Sequence, residues 1–412
     1  MLQINSNSPT IIHIDLNSCF ASVEQQAFPH LRGKPVVVAA YTTGAGCILS
    51  PSIEAKKLGI KTGMRVKDAQ FICPKLIVRD PDPLLVRDVH EKFMKIFYTY
   101  SPHVTPKSID EAIIDFSHGF PLSLPETDLV KIAQEIKKRI KKEVGDWIRC
   151  NIGIATNRFL AKLASSLHKP DGLDVIDHKN ILKIYSQLKL TDLHGINIRY
   201  EARLNAAGIF TPLQFFAASE YFLKKNVFQS IVGYYWYLRL RGWEIDDVIF
   251  QRKSFGHEYA LGEKTSNREK LTAILLKLCE KTGRRLRATN QAAYGIHLAI
   301  FYANHDFWHK GKKFATSFFT TAEIFQRSLI LFNLQPQLKT VSKIAVSCFD
   351  FAPSISSQMT LFEEKEVKEQ KISRALDQIN DRFGEFTIAP ALMMNMDKII
   401  LDRIAFGGKN LL

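Results

Sequence analysis

The period of the apolar positions changes along the chain and marks its elements. Residues Thr10 to Asp15 (TIIHID) run as a strand, and from Ser18 to Ala27 the apolar positions recur at helical spacing. A strand that ends in a carboxylate and feeds a helix is a common place to put chemistry. Lys34 to Ala40 (KPVVVAA) reads as a buried strand, followed by the turn Thr43-Gly44-Ala45-Gly46 and a helix from Pro51 to Leu58. This small α/β insertion closes near Pro81 to Pro83. Next come a helix over Val86 to Tyr100, strands near Val104 and over Ala112 to Phe116, a basic amphipathic helix over Asp128 to Glu143, and a strand over Ile148 to Ile154. Interleaved strands and helices predict an α/β or α+β catalytic core.

From Asn180 to Gly242 the pattern is short helices with Gly195 and Gly208 at their junctions. LHGINIRYEARLNAAGI resembles a helix-hairpin-helix, with Asn197 where a glycine is usual. Residues 252 to 350 combine β-rich stretches (Ala292 to Tyr302, Lys343 to Phe349) with helices over Arg268 to Arg287 and Thr321 to Leu329. After Pro353 a polar stretch leads into one charged helix ending at Phe383 and a weakly patterned end. At 412 residues the chain exceeds one compact core, and three or four units of roughly 100 to 150 residues are expected.

Charge narrows the partner. Lys and Arg number 56 against 41 Asp and Glu, giving +15 and a pI near 9.4, which suits a densely negative ligand, nucleic acid first. Between residues 251 and 350 there are 16 Lys and Arg against 7 Asp and Glu, so one module is specialised for polyanion. The 6 cysteines form no C-x-x-C pair, which argues against a disulfide framework or a structural zinc and for a reducing cytoplasm. The N-terminus lacks a signal-peptide pattern and no stretch reaches the ~18 apolar residues needed to span a bilayer, so a soluble, unprocessed, cytoplasmic protein is expected.

Three acids carry the candidate chemistry. Asp15 closes the first strand, and Asp110 and Glu111 sit in SIDEAIIDF. Carboxylates from separated stretches suit two hard Mg²⁺ ions about 3.5 to 4 Å apart, one lowering the pKa of a primer 3′-hydroxyl and the other holding a triphosphate. Neighbours on a regular strand point to opposite faces, so Asp110 and Glu111 share a site only if the chain bends between Lys107 and Ala112. Taken singly, such acids are ordinary solvated turn residues.

The surrounding text is more specific. IIHIDLNSCFASVE, PVVVA, EAKKLGIKTGM, SIDEAIIDFS and IGIATNRFLAKLASSLHKPDG, in order and spacing, resemble the Y-family DNA polymerases, the bacterial DinB type in particular, from about residue 11 to 350. The resemblance implies an α+β multidomain, right-hand polymerase: palm over 1–18 and 82–172, fingers over 19–81, thumb over 173–250, little finger over 251–352 and a tail over 353–412. It implies translesion synthesis without proofreading on primer-template DNA with dNTPs. It also implies two Mg²⁺ ions, for which Mn²⁺ can substitute, and a monomer away from membranes.

Carried across residue by residue, the resemblance makes Asp15, the Leu16 carbonyl and Asp110 metal ligands, with Glu111 beside the primer-terminus metal. Phe20 falls where an aromatic excludes the 2′-hydroxyl, and Lys169 where a lysine reaches the triphosphate. Gly63 and Met64 resemble the small roof over the templating base. The family's Tyr-x-x-Arg phosphate clamp is replaced by Ile53 and Lys56, which removes a hydroxyl and a bidentate fork and leaves Ser50 as a possible contributor. Arg252, Lys253 and Ser254, with Arg284, Arg285 and Arg287, resemble little-finger residues that straddle duplex backbone. Gln358, Met359, Leu361 and Phe362 of QMTLF resemble the bacterial sliding-clamp motif. Two other readings stay open: a DNA- and clamp-binding adaptor of the ImuB type, suggested by Ile53 and Lys56, and a UmuC-like catalytic subunit that needs partners.

Overall fold

The computed structural model describes residues 3–119, 128–248, 251–336, 339–353, 364–394, 396 and 399–400. They form two compact units, one up to residue 248 and one from residue 251. The first runs through β1 (Ile11–Leu16) and α1 (Cys19–Ala27), then β2 (Val36–Ala39), β3 (Ile48–Pro51), α2 (Ile53–Lys57), α3 (Val66–Ile72) and β4 (Ile77–Arg79). It returns through α4 (Pro83–Tyr98), β5 (Val104–Pro106), β6 (Glu111–Asp115), α5 (Leu129–Arg139), β7 (Cys150–Ala155), α6 (Arg158–Leu167) and β8 (Leu173–Ile176). Short helices follow: α7 (Ile181–Ser186), α8 (Ile198–Ala206), α9 (Pro212–Ala217), α10 (Glu220–Phe222) and α11 (Val232–Arg239).

β1 is the centre of a five-stranded sheet of order β5-β6-β1-β7-β8. A strand covered on both faces needs apolar residues throughout, which is why IIHIDL barely alternates. Ile12, Ile14 and Leu16 join the core with Phe93 and Phe97 of α4 and Ile132 and Ile136 of α5, whereas Ile11 packs with Phe159 and Leu163 of α6 on the other face. By strand alternation His13 and Asp15 share the α6 face with Ile11. β6 pairs antiparallel with β1, setting Asp15 opposite Glu111 and Ile11 opposite Asp115. A third apolar cluster, from Val37 and Ile48 to Ala69, lies in the β2–β4 layer.

Gly153 of β7 lets α6 lie directly on the sheet. A Cβ there would come within 2.0 Å of the Ala161 carbonyl oxygen and 2.3 Å of the Ser165 amide, so only glycine fits. That close approach carries the α6 cations over the acids of β6.

The second unit contains β9 (Ser254–Thr265), α12 (Arg268–Ala288), β10 (Gln291–Tyr302), β11 (Phe307–Phe318), α13 (Thr321–Phe332), β12 (Val341–Pro353) and α14 (Glu364–Phe383). Its sheet has the order β11-β10-β12-β9. Ile296, Leu298, Ile300, Ile344, Val346 and Cys348 alternate inward and are fully buried on the side that α12 and α13 cover. The expected helices over Arg268 to Arg287 and Thr321 to Leu329 are present as α12 and α13.

Candidate active site

β5 and β6 form a hairpin whose tip supplies the predicted bend. The Lys107 and Ser108 amides both donate to the Glu111 carbonyl, at 2.9 and 3.2 Å, and residues 108–110 leave strand geometry before β6 begins at Glu111. The Leu16 amide donates to the Asp110 carbonyl at 2.9 Å, which fixes the Asp110 peptide against the end of β1. Asp15, Asp110 and Glu111 therefore converge at one edge of the sheet. Burial raises the Asp110 carboxyl above the usual carboxylate range, and against a hydrogen bond from Ser108 the negative charges of Asp15 and Glu111 add to that rise.

Two lysines answer those charges. Lys169 Nζ lies 2.9 Å from Asp15 Oδ2, and Lys162 Nζ lies 2.6 Å from Glu111 Oε2. Burial alone would lift Glu111, but His13, with Nε2 at 3.7 Å, and Lys162, hydrogen-bonded to it, pull it from 4.5 to about 2. A carboxyl depressed in this way contributes stability that is fully present above its unfolded pKa and lost as the pH falls toward 2. Between pH 4.5 and 2 the urea midpoint of the wild type is therefore expected to fall more steeply than that of Lys162→Met; parallel slopes would remove Lys162 as the cause.

Sequence reasoning missed Lys162. The signal was present: Glu111 and Asp115 share one face of β6, and Arg158 and Lys162 follow at i,i+4 on a helix bound to pack there, where they pair respectively as Lys162–Glu111 and Arg158–Asp115. A buried amide relay positions the Lys169 loop. Asn17 Nδ2 donates to Asn151 Oδ1 at 2.8 Å, Asn151 Nδ2 to the His168 carbonyl at 3.0 Å, and the Asp171 amide to Asn17 Oδ1 at 2.7 Å.

The donor set of Asp15, Asp110 and Glu111 is all oxygen and carries three negative charges opposed by two lysines, which fits hard divalent cations. Among the described residues the trio whose ligand atoms all lie within 4.8 Å of one another is a different one, Asp115, His118 and Asp247. The tighter spacing there has a simple cause: Arg158 Nη2 sits 2.9 Å from Asp115 Oδ2 and 2.7 Å from Asp247 Oδ1, so a guanidinium already supplies the positive charge.

The remaining predicted residues of this unit lie on α1, β3, α2 and the turn after α2. Phe20, half-buried in α1, packs on the core beneath β1. The Lys56 ammonium is lowered first by desolvation and then by the neighbouring Lys169 charge, and Asp15 and Asp110 oppose that shift, so α2 brings Lys56 into the field of the carboxylates. Ser50 is buried in β3 opposite Val38. Gly63, at φ +86°, and half-buried Met64 bond through their backbones to Ile48 of β3. In the helix-hairpin-helix segment Gly195 has φ +96°, and Asn197 caps α8 by accepting from the Arg199 and Tyr200 amides at 3.0 Å, which explains its place where a glycine is usual.

In the second unit Arg252, Lys253 and Ser254 are exposed at the start of β9. The expectation for Arg284 and Arg287 is corrected: they are 9% and 6% exposed. Arg287 grips Asp377 of α14 through Nε and Nη2, and Arg284 pairs with Asp381 and Glu385. Lys277 and Lys281 of the same helix are covered too, Lys277 by the Met396 and Ile399 carbonyls and Lys281 by Glu385. Arg285 is half-buried and donates to the Gly256 carbonyl at 3.1 Å. The basic face of α12 is thus neutralised by the chain's own C-terminal segment. Gln358, Met359, Leu361 and Phe362 lie outside the described residues.

The chain matches the impB/mucB/samB family over residues 14–166 and that family's C-terminal domain over residues 252–361. It is 32% identical over 409 residues to a DNA polymerase IV of Pelotomaculum thermopropionicum, a match covering 95% of this chain and 97% of the relative. With a DNA polymerase IV of Moorella thermoacetica it shares 32% identity over 403 residues, 94% and 97% of the two chains. In fold it is similar to a Y-family DNA polymerase chimera of Dbh and Dpo4, with a TM-score of 0.70 and 24% identity over 82% of this chain and 98% of the other.

Proposed function

The chain belongs to the impB/mucB/samB family of Y-family DNA polymerases and is a DNA-directed DNA polymerase, and from that premise we propose that it performs translesion synthesis without proofreading, joining dNTPs to a primer 3′ end at Asp15, Asp110 and Glu111. The observation that carries this reading is the cross-strand pairing of Asp15 with Glu111 beside the bonded Leu16–Asp110 peptides. These carboxylates and the Leu16 carbonyl would hold two Mg²⁺ ions, or Mn²⁺ in their place, which would supply charge stabilisation at the attacking and leaving oxygens.

The rest is done by the chain's own residues. Lys169 leaves Asp15 for the incoming triphosphate, and Lys56 adds a second point charge where a bidentate arginine is missing, so the phosphate grip is looser than the family's usual one. Lys162 keeps Glu111 ionised and ready for metal. The palm is assigned to 1–18 and 82–172, the fingers to 19–81, the thumb to 173–250 and the little finger to 251–352. Arg252, Lys253 and Ser254 contact duplex backbone, which predicts salt-sensitive, sequence-independent binding.

Phe20→Ala is expected to raise ribonucleotide incorporation, measured as discrimination between UTP and dTTP; an unaltered ratio would end the steric-gate assignment. The bacterial sliding clamp is assigned to Gln358–Phe362 in the 353–412 tail. Replacing Gln358, Leu361 and Phe362 with Ala should abolish clamp stimulation and leave clamp-free synthesis intact, and equal stimulation of both proteins would exclude the motif. Among the described residues no helix is long and apolar enough to cross a membrane, and we place the enzyme in the cytoplasm as a monomer.

The adaptor reading is not favoured, because Asp15, Asp110 and Glu111 are all retained. Primer extension by the purified chain with Mg²⁺, on undamaged and abasic templates, tests the proposal. Activity of the chain alone also separates it from a UmuC-like subunit that needs partners.

A further inference from the structure

His13 is the diagonal neighbour of Glu111, since its own partner across the strands is Ile113 and that of Asp15 is Glu111. The His13 ring is 1% exposed, and its two nitrogens face different elements. Nδ1 lies 3.1 Å from Ser165 Oγ, one turn along α6 from Lys162. Nε2 lies 3.7 Å from Glu111 Oε2, too far for a hydrogen bond, and has no hydrogen-bond partner among the described residues. Lys162 Nζ already holds that same oxygen at 2.6 Å.

A fully buried ring nitrogen without a partner is uncommon and calls for a reason. Its neighbour decides what it carries. A bare lone pair on Nε2 would face a carboxylate in a low-dielectric setting, where like polarity repels most strongly. A hydrogen on Nε2 turns that repulsion into attraction. Ser165 allows this arrangement, because its hydroxyl, 2.8 Å from the Lys162 carbonyl, presents either its hydrogen or a lone pair to Nδ1. Glu111 has room to close the gap: a cavity of about 560 Å³ opens beside it, lined by His13, Lys162 and His194 among others. The two groups near Glu111 also differ in rigidity. Lys162 is a flexible side chain, 27% exposed, whereas His13 is enclosed and pinned by Ser165. A carboxylate that must keep its angle to a cation is better fixed by the enclosed group.

We propose that His13 is a positioning residue for Glu111: its Nε2–H bonds the outer oxygen of the carboxylate and sets the angle at which the other oxygen meets a divalent cation. Lys162 answers the charge of Glu111, and His13 its direction. The inference rests on the reading of Asp15, Asp110 and Glu111 as the metal site. His13 itself touches neither substrate nor cation.

The first measurement needs no metal. Full-length protein labelled with ¹⁵N-histidine, in EDTA and without DNA or dNTP, is read by long-range ¹H–¹⁵N correlation NMR, with His13→Gln identifying the His13 signals. A hydrogen on Nε2 is the expected result, and an Nε2 without one overturns the proposal. The second measurement is single-turnover extension at graded Mg²⁺. His13→Leu is expected to need about 10-fold more Mg²⁺ for half-maximal rate, with the dNTP requirement changed less than about 2-fold. His13→Gln, whose side-chain amide reaches as far as Nε2 and donates, should recover most of that loss. A merely structural role would move both variants alike. Equal losses in the two, or a Mg²⁺ requirement in His13→Leu equal to that of wild type, therefore overturn the proposal. The NMR result can fail while primer extension succeeds, and undiminished extension by Asp110→Ala would sink the metal site while leaving the Nε2 hydrogen in place.

Discussion

Asp110→Ala lowers the rate of primer extension by roughly three orders of magnitude or more, the scale expected when a preorganised charge at the reacting oxygens is removed. Asp110 is the acid most crowded by like charge: half-buried, beside Asp15 and Glu111, and answered by Ser108 rather than by a lysine. Asp15 and Glu111 each have a cation at hand in Lys169 and Lys162, so Asp110 has the most to gain from a divalent ion. Folding should be preserved or improved, since deleting a carboxylate held above its ordinary pKa by burial and repulsion relieves an unfavourable charge. The check pairs single-turnover extension with urea unfolding. Residual extension within about tenfold of wild type, from a folded variant, would remove Asp110 from the chemistry.

Asp377→Ala has the largest expected effect on stability. Arg287 is 6% exposed and bound by both oxygens of Asp377, at 2.5 and 2.8 Å. Glu280, at 3.6 Å, is a weaker second partner, so the substitution leaves a buried guanidinium mostly uncompensated. Breaking a buried pair from one side costs about 3 to 5 kcal/mol, and the second unit, including the docked α14, should unfold at a clearly lower urea concentration. Replacing both members, Arg287→Met with Asp377→Leu, should recover most of that loss, because no buried charge is then left unpaired. A loss under about 0.5 kcal/mol in Asp377→Ala would mean that α14 is not held through this pair.

The contrast between these residues shows what the chain discloses locally. β1 with Asp15 near its end and the bend at 107–110 follow from short-range pattern: an apolar run and a strand rule that two adjacent acids cannot satisfy. The fates of Arg284 and Arg287 did not follow, because their partners Asp377, Asp381 and Glu385 come some 90 residues or more later. A basic helix face read alone looks like a nucleic-acid surface; folded, it is the seat of an acidic segment. β11 was illegible for another reason. As an edge strand exposed over most of its length, FWHKGKKFATSF loses the alternation that marks half-buried strands. Lys162 lies between the two cases, since the acids and the cations were each evenly spaced, but their pairing required Gly153 to let α6 close on the sheet.

The central claim is that Asp15, Asp110 and Glu111, and no other acids of the chain, gather the divalent cations of catalysis. Anomalous scattering from crystals of the full-length protein grown with primer-template DNA, an unreactive dNTP analogue and Mn²⁺ tests it most directly. Two Mn²⁺ peaks bonded to oxygens of Asp15, Asp110 and Glu111, with Lys169 moved from Asp15 to the triphosphate, are the predicted result. Peaks confined to Asp115, His118 and Asp247, with Lys162 and Lys169 still on Glu111 and Asp15, would contradict it.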